Sequence, residues 1–117
     1  MSNVTIFHNP LCSKSREALS LLRESGADVT VRLYLEDVPN EAELRGLLAK
    51  LDLSAGDVLR KGEDAYKTHF KDVSDEPALI SLMCQYPKVI ERPIIIKDNK
   101  AVIGRPPEAA LTLLAKA

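Results

Sequence analysis

A chain of 117 residues with 45% apolar content and a formal charge of −1 has the size and composition of one ordinary domain able to bury its own core. Sixteen basic residues against seventeen acidic ones, with only 4% aromatic, are poor material for stacking bases or coating an anionic membrane, so no nucleic acid and no membrane is expected as a partner. Two cysteines and two histidines at no metal-like spacing argue against a zinc site, and no metal is expected.

The first element is a short β-branched and aromatic run, Val4 to His8, ended by Asn9-Pro10. Its start lacks the basic segment, apolar core and cleavage site of a secretory signal, and no apolar run approaches the ~20 residues that span a bilayer. A soluble, cytoplasmic protein is the expectation. Beyond Cys12, Ala18, Leu19, Leu21 and Leu22 recur at helical spacing up to Gly26, a natural stop, so Cys12 sits at a strand-to-helix turn. Val29, Val31 and Leu33 alternate with Thr30, Arg32 and Tyr34 as in a second strand.

Asn40-Glu41-Ala42-Glu43 reads as a capping box for a helix with Leu44, Leu47, Leu48 and Leu51 on one face. Ser54 to Asp57 repeats that logic before a short helix ending near Arg60, and 62–73 is polar, a loop with some helix. Ser74-Asp75-Glu76-Pro77 starts another helix running to Tyr86. Ile94 to Ile96 and Ala101 to Ile103, around Asp98-Asn99-Lys100, read as a hairpin, and Gly104-Arg105-Pro106-Pro107 leads into a last helix through Ala110, Leu111 and Leu114.

The order is β-α-β, a helical insertion at about 40–87, then β-β-α. The expected fold is α/β and thioredoxin-like: one domain over 1–117 with a mixed four-stranded sheet, its first two strands parallel and its late hairpin antiparallel.

A thiolate, not a thiol, is the nucleophile, and a free thiol ionises near ~8.5, so a useful cysteine needs positive potential. At Cys12 three sources offer it: the helix N-terminus with its unpaired N–H groups, Lys14 and Arg16 in the same turn, and His8. The spacing Cys12-Ser13-Lys14-Ser15 is CxxS. It keeps one sulfur and leaves Ser15 as a hydrogen-bonding partner, so a resolving thiol must come from outside. Cys84, between Met83 and Gln85, reads as a core-side cysteine. Arg60, Arg92 and Arg105 stand at element ends, where planar forks of donors suit tetrahedral oxyanions.

The segments HNPLCSKSR, LYLEDVP, LLAKLDL, VLRK, ERPII and IGRPPE, in this order from Ile6 through Leu114, resemble the glutaredoxin-linked arsenate reductases of thioredoxin-like fold, a group that also includes the Spx-type regulators. The resemblance implies that Cys12 attacks arsenate or a related oxyanion, aided by His8, Ser15 and Arg16, while Arg60, Arg92 and Arg105 bind the oxyanion. It implies no bound cofactor, glutathione as co-substrate, glutaredoxin as the partner that clears the mixed disulfide, and a cis peptide before Pro93. Ser13-Lys14 replaces the Gly-Thr of the best-known arsenate-detoxifying members, and SKSR with IGRPP is more similar to the chromosomal branch. Two other readings are a monothiol glutaredoxin-like thiol-disulfide reductase, for which the arginines are superfluous, and an Spx-like regulatory module, whose members usually carry CxxC.

Overall fold

The computed structural model describes residues 3–114. They form a mixed α/β structure of thioredoxin-like fold, with four strands in the order β2-β1-β3-β4. The chain divides into two compact units, one joining the segment up to Asp37 with the segment from Arg92 onward, the other being Val38–Glu91.

In the first unit β1 (Asn3–Phe7) pairs parallel with β2 (Asp28–Arg32) in the register Ile6 to Val31, and antiparallel with β3 (Ile94–Lys97) in the register Ile6 to Ile95. The strand β4 (Lys100–Ile103) completes the hairpin with β3, Asp98 taking a left-handed φ of 54° in the turn, a conformation aspartate tolerates. Helix α1 (Ser13–Glu24) connects β1 to β2. Val4 and Ile6, on one face of β1, pack with Ala18, Leu19 and Leu22 of α1 and with Ile95, Ala110 and Leu113. Ile6, Leu22 and Ile95 are fully buried, each burial contributing about 1.5–3 kcal/mol, against about 0.5–1.5 kcal/mol for one hydrogen bond in the turn. The apolar layer therefore decides where α1 lies on the sheet, and with it where Cys12 stands.

The last helical segment, Pro107–Leu113, winds as a 3-10 helix rather than an α-helix. Two prolines precede its first free N–H donors, and the Thr112 hydroxyl donates to the Ala109 carbonyl at 2.7 Å.

Two adjoining loops are locked by close approach. Gly104 donates its N–H to the Pro93 carbonyl at 2.8 Å, and a Cβ on Gly104 would lie 2.7 Å from Pro93 Cγ and 3.1 Å from Ile95 Cδ1. Only glycine fits there. The peptides Arg92–Pro93 and Arg105–Pro106 are both cis.

The second unit is helical. Asn40 caps α2 (Glu41–Leu51) with the full reciprocal box: Glu43 N–H donates to Asn40 Oδ1 at 2.8 Å, and Asn40 N–H to Glu43 Oε1 at 3.1 Å. Ser54 and Asp57 build a second box on the 3-10 turn Ala55–Val58. The polar stretch contains α3 (Asp64–His69), none of whose residues is buried; this lack of an apolar face hides it from periodicity. Helix α4 (Glu76–Gln85), capped by the Asp75 side chain on Ala78 N–H, buries Leu79, Ile80 and Met83 and packs on α2.

Candidate active site

The turn from β1 to α1 is built by hydrogen bonds that the sequence HNPLCSKS encodes locally. His8 extends the parallel ladder by one residue, donating its N–H to the Arg32 carbonyl at 2.9 Å. Pro10 cannot continue a strand ladder, and the chain reverses: Cys12 N–H donates to the Asn9 carbonyl at 3.0 Å, and Leu11 N–H to Asn9 Oδ1 at 3.0 Å. Cys12 is then the N-cap of α1, with φ −94° and ψ 122°, and its carbonyl takes the first helical bond from Arg16 N–H at 3.0 Å.

A cysteine at an N-cap places sulfur where a serine or aspartate oxygen ordinarily sits. Burial alone pushes the Cys12 thiol up, but the Ser15 N–H, the Arg92 side chain, the Lys14 N–H and the Arg92 charge together hold it below the ordinary thiol range. The two N–H groups act without closing a side-chain capping bond. Arg92 is half-buried, and its guanidinium acts on both the Cys12 sulfur and the Tyr34 hydroxyl. Arg105 is exposed; its Nε donates to the Arg92 carbonyl at 2.8 Å, and its Nη2 reaches Cys12 Sγ at 3.7 Å. Arg105 thus holds the loop that carries Arg92 while presenting a guanidinium edge to the sulfur.

Behind the sulfur lies a buried polar pair. Ser15 is fully buried, its Oγ 2.7 Å from His8 Nδ1 and accepting the Asn9 N–H at 3.1 Å. The hydroxyl of Ser15 is turned to His8, and it is the backbone N–H of Ser15 that serves the sulfur. His8 is buried, and that burial, then the Arg23 and Arg16 charges, lower its pKa below the ordinary imidazole value. The neutral form of the ring is thereby favoured. Arg16 is spent on the turn, with Nη1 donating to the Pro10 carbonyl at 2.8 Å.

The first unit therefore brings together Cys12, His8, Ser15, Arg92 and Arg105. Arg60 belongs to the second unit, where its Nη1 lies 3.1 Å from Glu91 Oε1 and its Nε 3.6 Å from Glu63 Oε2. Two carboxylates balance its charge there. Cys84 is also in that unit, half-buried; burial, Glu41 and Glu43 push its thiol up, the opposite of Cys12.

Sequence reasoning passed over Tyr34, fully buried beside Arg92, and Arg23, whose charge acts on His8. The alternation of β2 placed Tyr34 among the polar positions. An aromatic hydroxyl at a strand end, next to a loop rich in charge, was the available signal.

Among the described residues no group of three His, Cys, Asp or Glu side chains could hold a metal ion, and no helix is long and apolar enough to cross a membrane. What the site offers is a thiol biased toward thiolate, at a helix N-terminus, beneath two guanidiniums. That combination suits a nucleophilic attack on a tetrahedral oxyanion, whose charge the N–H groups and arginines can share.

Comparison with known proteins gives the same picture over nearly the whole chain. The ArsC family model matches residues 7–113. The chain is 49% identical over 114 residues to the uncharacterized protein YfgD of Escherichia coli K12, covering 95% of this chain and 96% of that protein. It is 43% identical over 111 residues to an arsenate reductase of Neisseria meningitidis serogroup A, covering 92% and 95% respectively. Among solved structures, an arsenate reductase from Vibrio cholerae superposes with a TM-score of 0.91 at 40% identity, covering 95% of this chain and 97% of that one.

Proposed function

The chain belongs to the ArsC family, and from that premise we propose that it reduces arsenate to arsenite through a covalent adduct on Cys12, with glutathione and glutaredoxin supplying the electrons. The observation that carries the reading is the convergence of Arg92 and Arg105 on a thiol whose pKa is lowered.

In the first step Cys12 sulfur bonds to arsenic, and one arsenate hydroxyl takes the proton given up by the thiol and leaves as water. Arg92 and Arg105 hold the remaining oxygens, and the Lys14 and Ser15 N–H groups face the charge. In the second step an external thiol attacks the Cys12 sulfur. The S–S bond forms, the S–As bond breaks with its electron pair on arsenic, and the proton of the thiol ends on an arsenite oxygen. Arsenic passes from the pentavalent to the trivalent state, and Cys12 is left in a mixed disulfide with the thiol. A glutaredoxin thiol then takes up the outer sulfur and frees Cys12.

Two features support an outside thiol. The CxxS spacing provides no partner sulfur in the turn, and the Cys84 thiol is held protonated by burial and two glutamates. A reducing, cytoplasmic setting is where such a thiol is abundant, and we place the protein there. Arg60 enters as a third oxyanion ligand on the strength of its VLRK motif, although its pairs with Glu63 and Glu91 also give it a holding role in the helical unit. We read the chain as one thioredoxin-like domain interrupted by the helical insertion at about 40–87; that the first unit is assembled from two separated segments supports this.

The test is arsenite production from arsenate with glutathione and glutaredoxin. Cys12→Ser abolishes turnover, and Arg92→Ala lowers kcat/KM for arsenate by about a hundredfold, in the range expected for one oxyanion donor. The proposal fails if the wild-type protein does no better than Cys12→Ser.

A further inference from the structure

A cavity of about 400 Å³ opens beside the turn, lined by neither Cys12, Arg92 nor Arg105, and nothing in the reaction scheme above occupies it. Its helix wall is a single stripe of α1, Arg16, Leu19, Ser20 and Arg23, at the i, i+3, i+4, i+7 spacing of one face. His8 and Pro10 form the wall nearer the strand. The size is that of a site for a small organic molecule rather than an ion.

The lining carries a definite charge pattern. Arg16 and Arg23 bring two guanidiniums, and both act electrostatically on His8, so both cations bear on the inner wall of the cavity. Arg16 spends one nitrogen on the Pro10 carbonyl, whereas among the described residues no carboxylate is paired with Arg23, which is exposed. One carboxylate, Glu24, sits at the far end. Two cations, one anion, the Ser20 hydroxyl and the apolar side of Leu19 match a small peptide carrying two carboxylates and one ammonium.

The direction of the stripe ties this cavity to the reactive sulfur. Cys12 precedes Arg16 by four residues and so continues the same helix face, one turn toward the N-terminus. From Cys12 to Arg23 the helix rises by about 16 Å at 1.5 Å per residue. Long helical side chains lean back toward the N-terminus by roughly one turn, which leaves a gap of about 10 Å. Three extended residues span about 10 Å.

We propose that this cavity seats the carboxylate-bearing part of the thiol reductant, a peptide thiol of about three residues, with its sulfur directed past Pro10 to Cys12. The inference rests on the arsenate-reductase reading for what the thiol does and on the cavity alone for where it binds. Arg23 is its anionic anchor, and His8 lines the wall between that anchor and the turn.

The experiment has a kinetic arm and a binding arm. In the kinetic arm, arsenate reduction is driven either by glutathione, which carries the carboxylates, or by 2-mercaptoethanol, which has none. Arg23→Ala lowers the ratio of kcat/KM for glutathione to kcat/KM for 2-mercaptoethanol about tenfold, the loss of one charge-assisted contact at an exposed site, and Arg23→Lys restores part of it. In the binding arm, S-methylglutathione, which cannot react, is titrated into Cys12→Ser protein while the His8 ring and α1 amide signals are followed by NMR. Shifts at His8, Ser20 and Arg23 that are lost in the Cys12→Ser, Arg23→Ala protein support the site. An unchanged ratio, or shifts indifferent to Arg23, overturns it while leaving arsenate reduction standing. Arg23-dependent shifts in a protein that reduces no arsenate keep the site and sink the reductase reading instead.

Discussion

Replacing Gly104 by alanine inserts a single methyl group into the tightest contact beneath the site. Its Cβ would lie 2.7 Å from Pro93 Cγ, about 0.7 Å inside ordinary contact, 3.1 Å from Ile95 Cδ1 and 3.5 Å from Ala18 Cβ. The nearest atom belongs to the buried Pro93 ring, which cannot swing aside, and Ile95 and Ala18 are fully buried in the layer between sheet and α1. Relief therefore requires the backbones of the two loops to part, at the cost of about 1–3 kcal/mol typical of overpacking. For a chain of this size that lowers Tm by about 3–6 °C per kcal/mol. Those same loops carry Arg92 and Arg105, joined by the Arg105 Nε bond to the Arg92 carbonyl, so the displacement also loosens the guanidiniums over Cys12. Urea unfolding should show a midpoint shift of that size with an unchanged slope, accompanied by a raised KM for arsenate. Gly46→Ala is the control: Gly46 lies inside α2 with nothing within 4 Å of its Cβ position, and alanine there stabilises by about 0.5–1 kcal/mol. If Gly104→Ala were as stable as wild type, the close-packing account of the two loops would be wrong.

The buried polar pair gives two more tests. Ser15→Ala leaves the His8 Nδ1 and the Asn9 N–H without their partner, and a destabilisation of about 1–3 kcal/mol is expected in urea unfolding; a neutral result would show that the pair contributes nothing to the fold. His8 has a lowered pKa, so between the folded and unfolded values the unfolded chain binds more protons and stability rises with pH. This contribution is complete above the ordinary value of 6.5 and disappears as the pH falls through the lowered folded value. Chemical unfolding of wild type and His8→Asn at a series of pH values from neutral to acid should therefore diverge, the wild type losing more stability; parallel profiles would refute the assignment.

Much of this protein is written in short range. The capping boxes at Asn40 and Ser54 use side chains three residues apart, the hairpin at Asp98 needs only a turn between two apolar runs, and Asn9-Pro10 forces the reversal that makes Cys12 an N-cap. Such features follow from hydrogen bonds and dihedral limits spanning a handful of residues, so the sequence alone determined the order of elements, the place of the sulfur and the lack of a second thiol beside it. The stretch 62–73 shows only as a loop with some helix, without bounds, because α3 buries no residue, and the final helix took the 3-10 form that apolar spacing does not distinguish from an α-helix.

Only the tertiary structure decided what surrounds the sulfur. Arg105 is 93 positions from Cys12 in sequence, and its contact depends on β3 pairing with β1 and β4 with β3. The same folding turned the Ser15 hydroxyl to His8, set Tyr34 against Arg92 and committed Arg60 to two glutamates within the helical unit. A guanidinium goes where sterics and desolvation across distant segments leave it, and no local pattern records that. The lone thiol was legible in HNPLCSKS; its partners became visible only when the sheet closed.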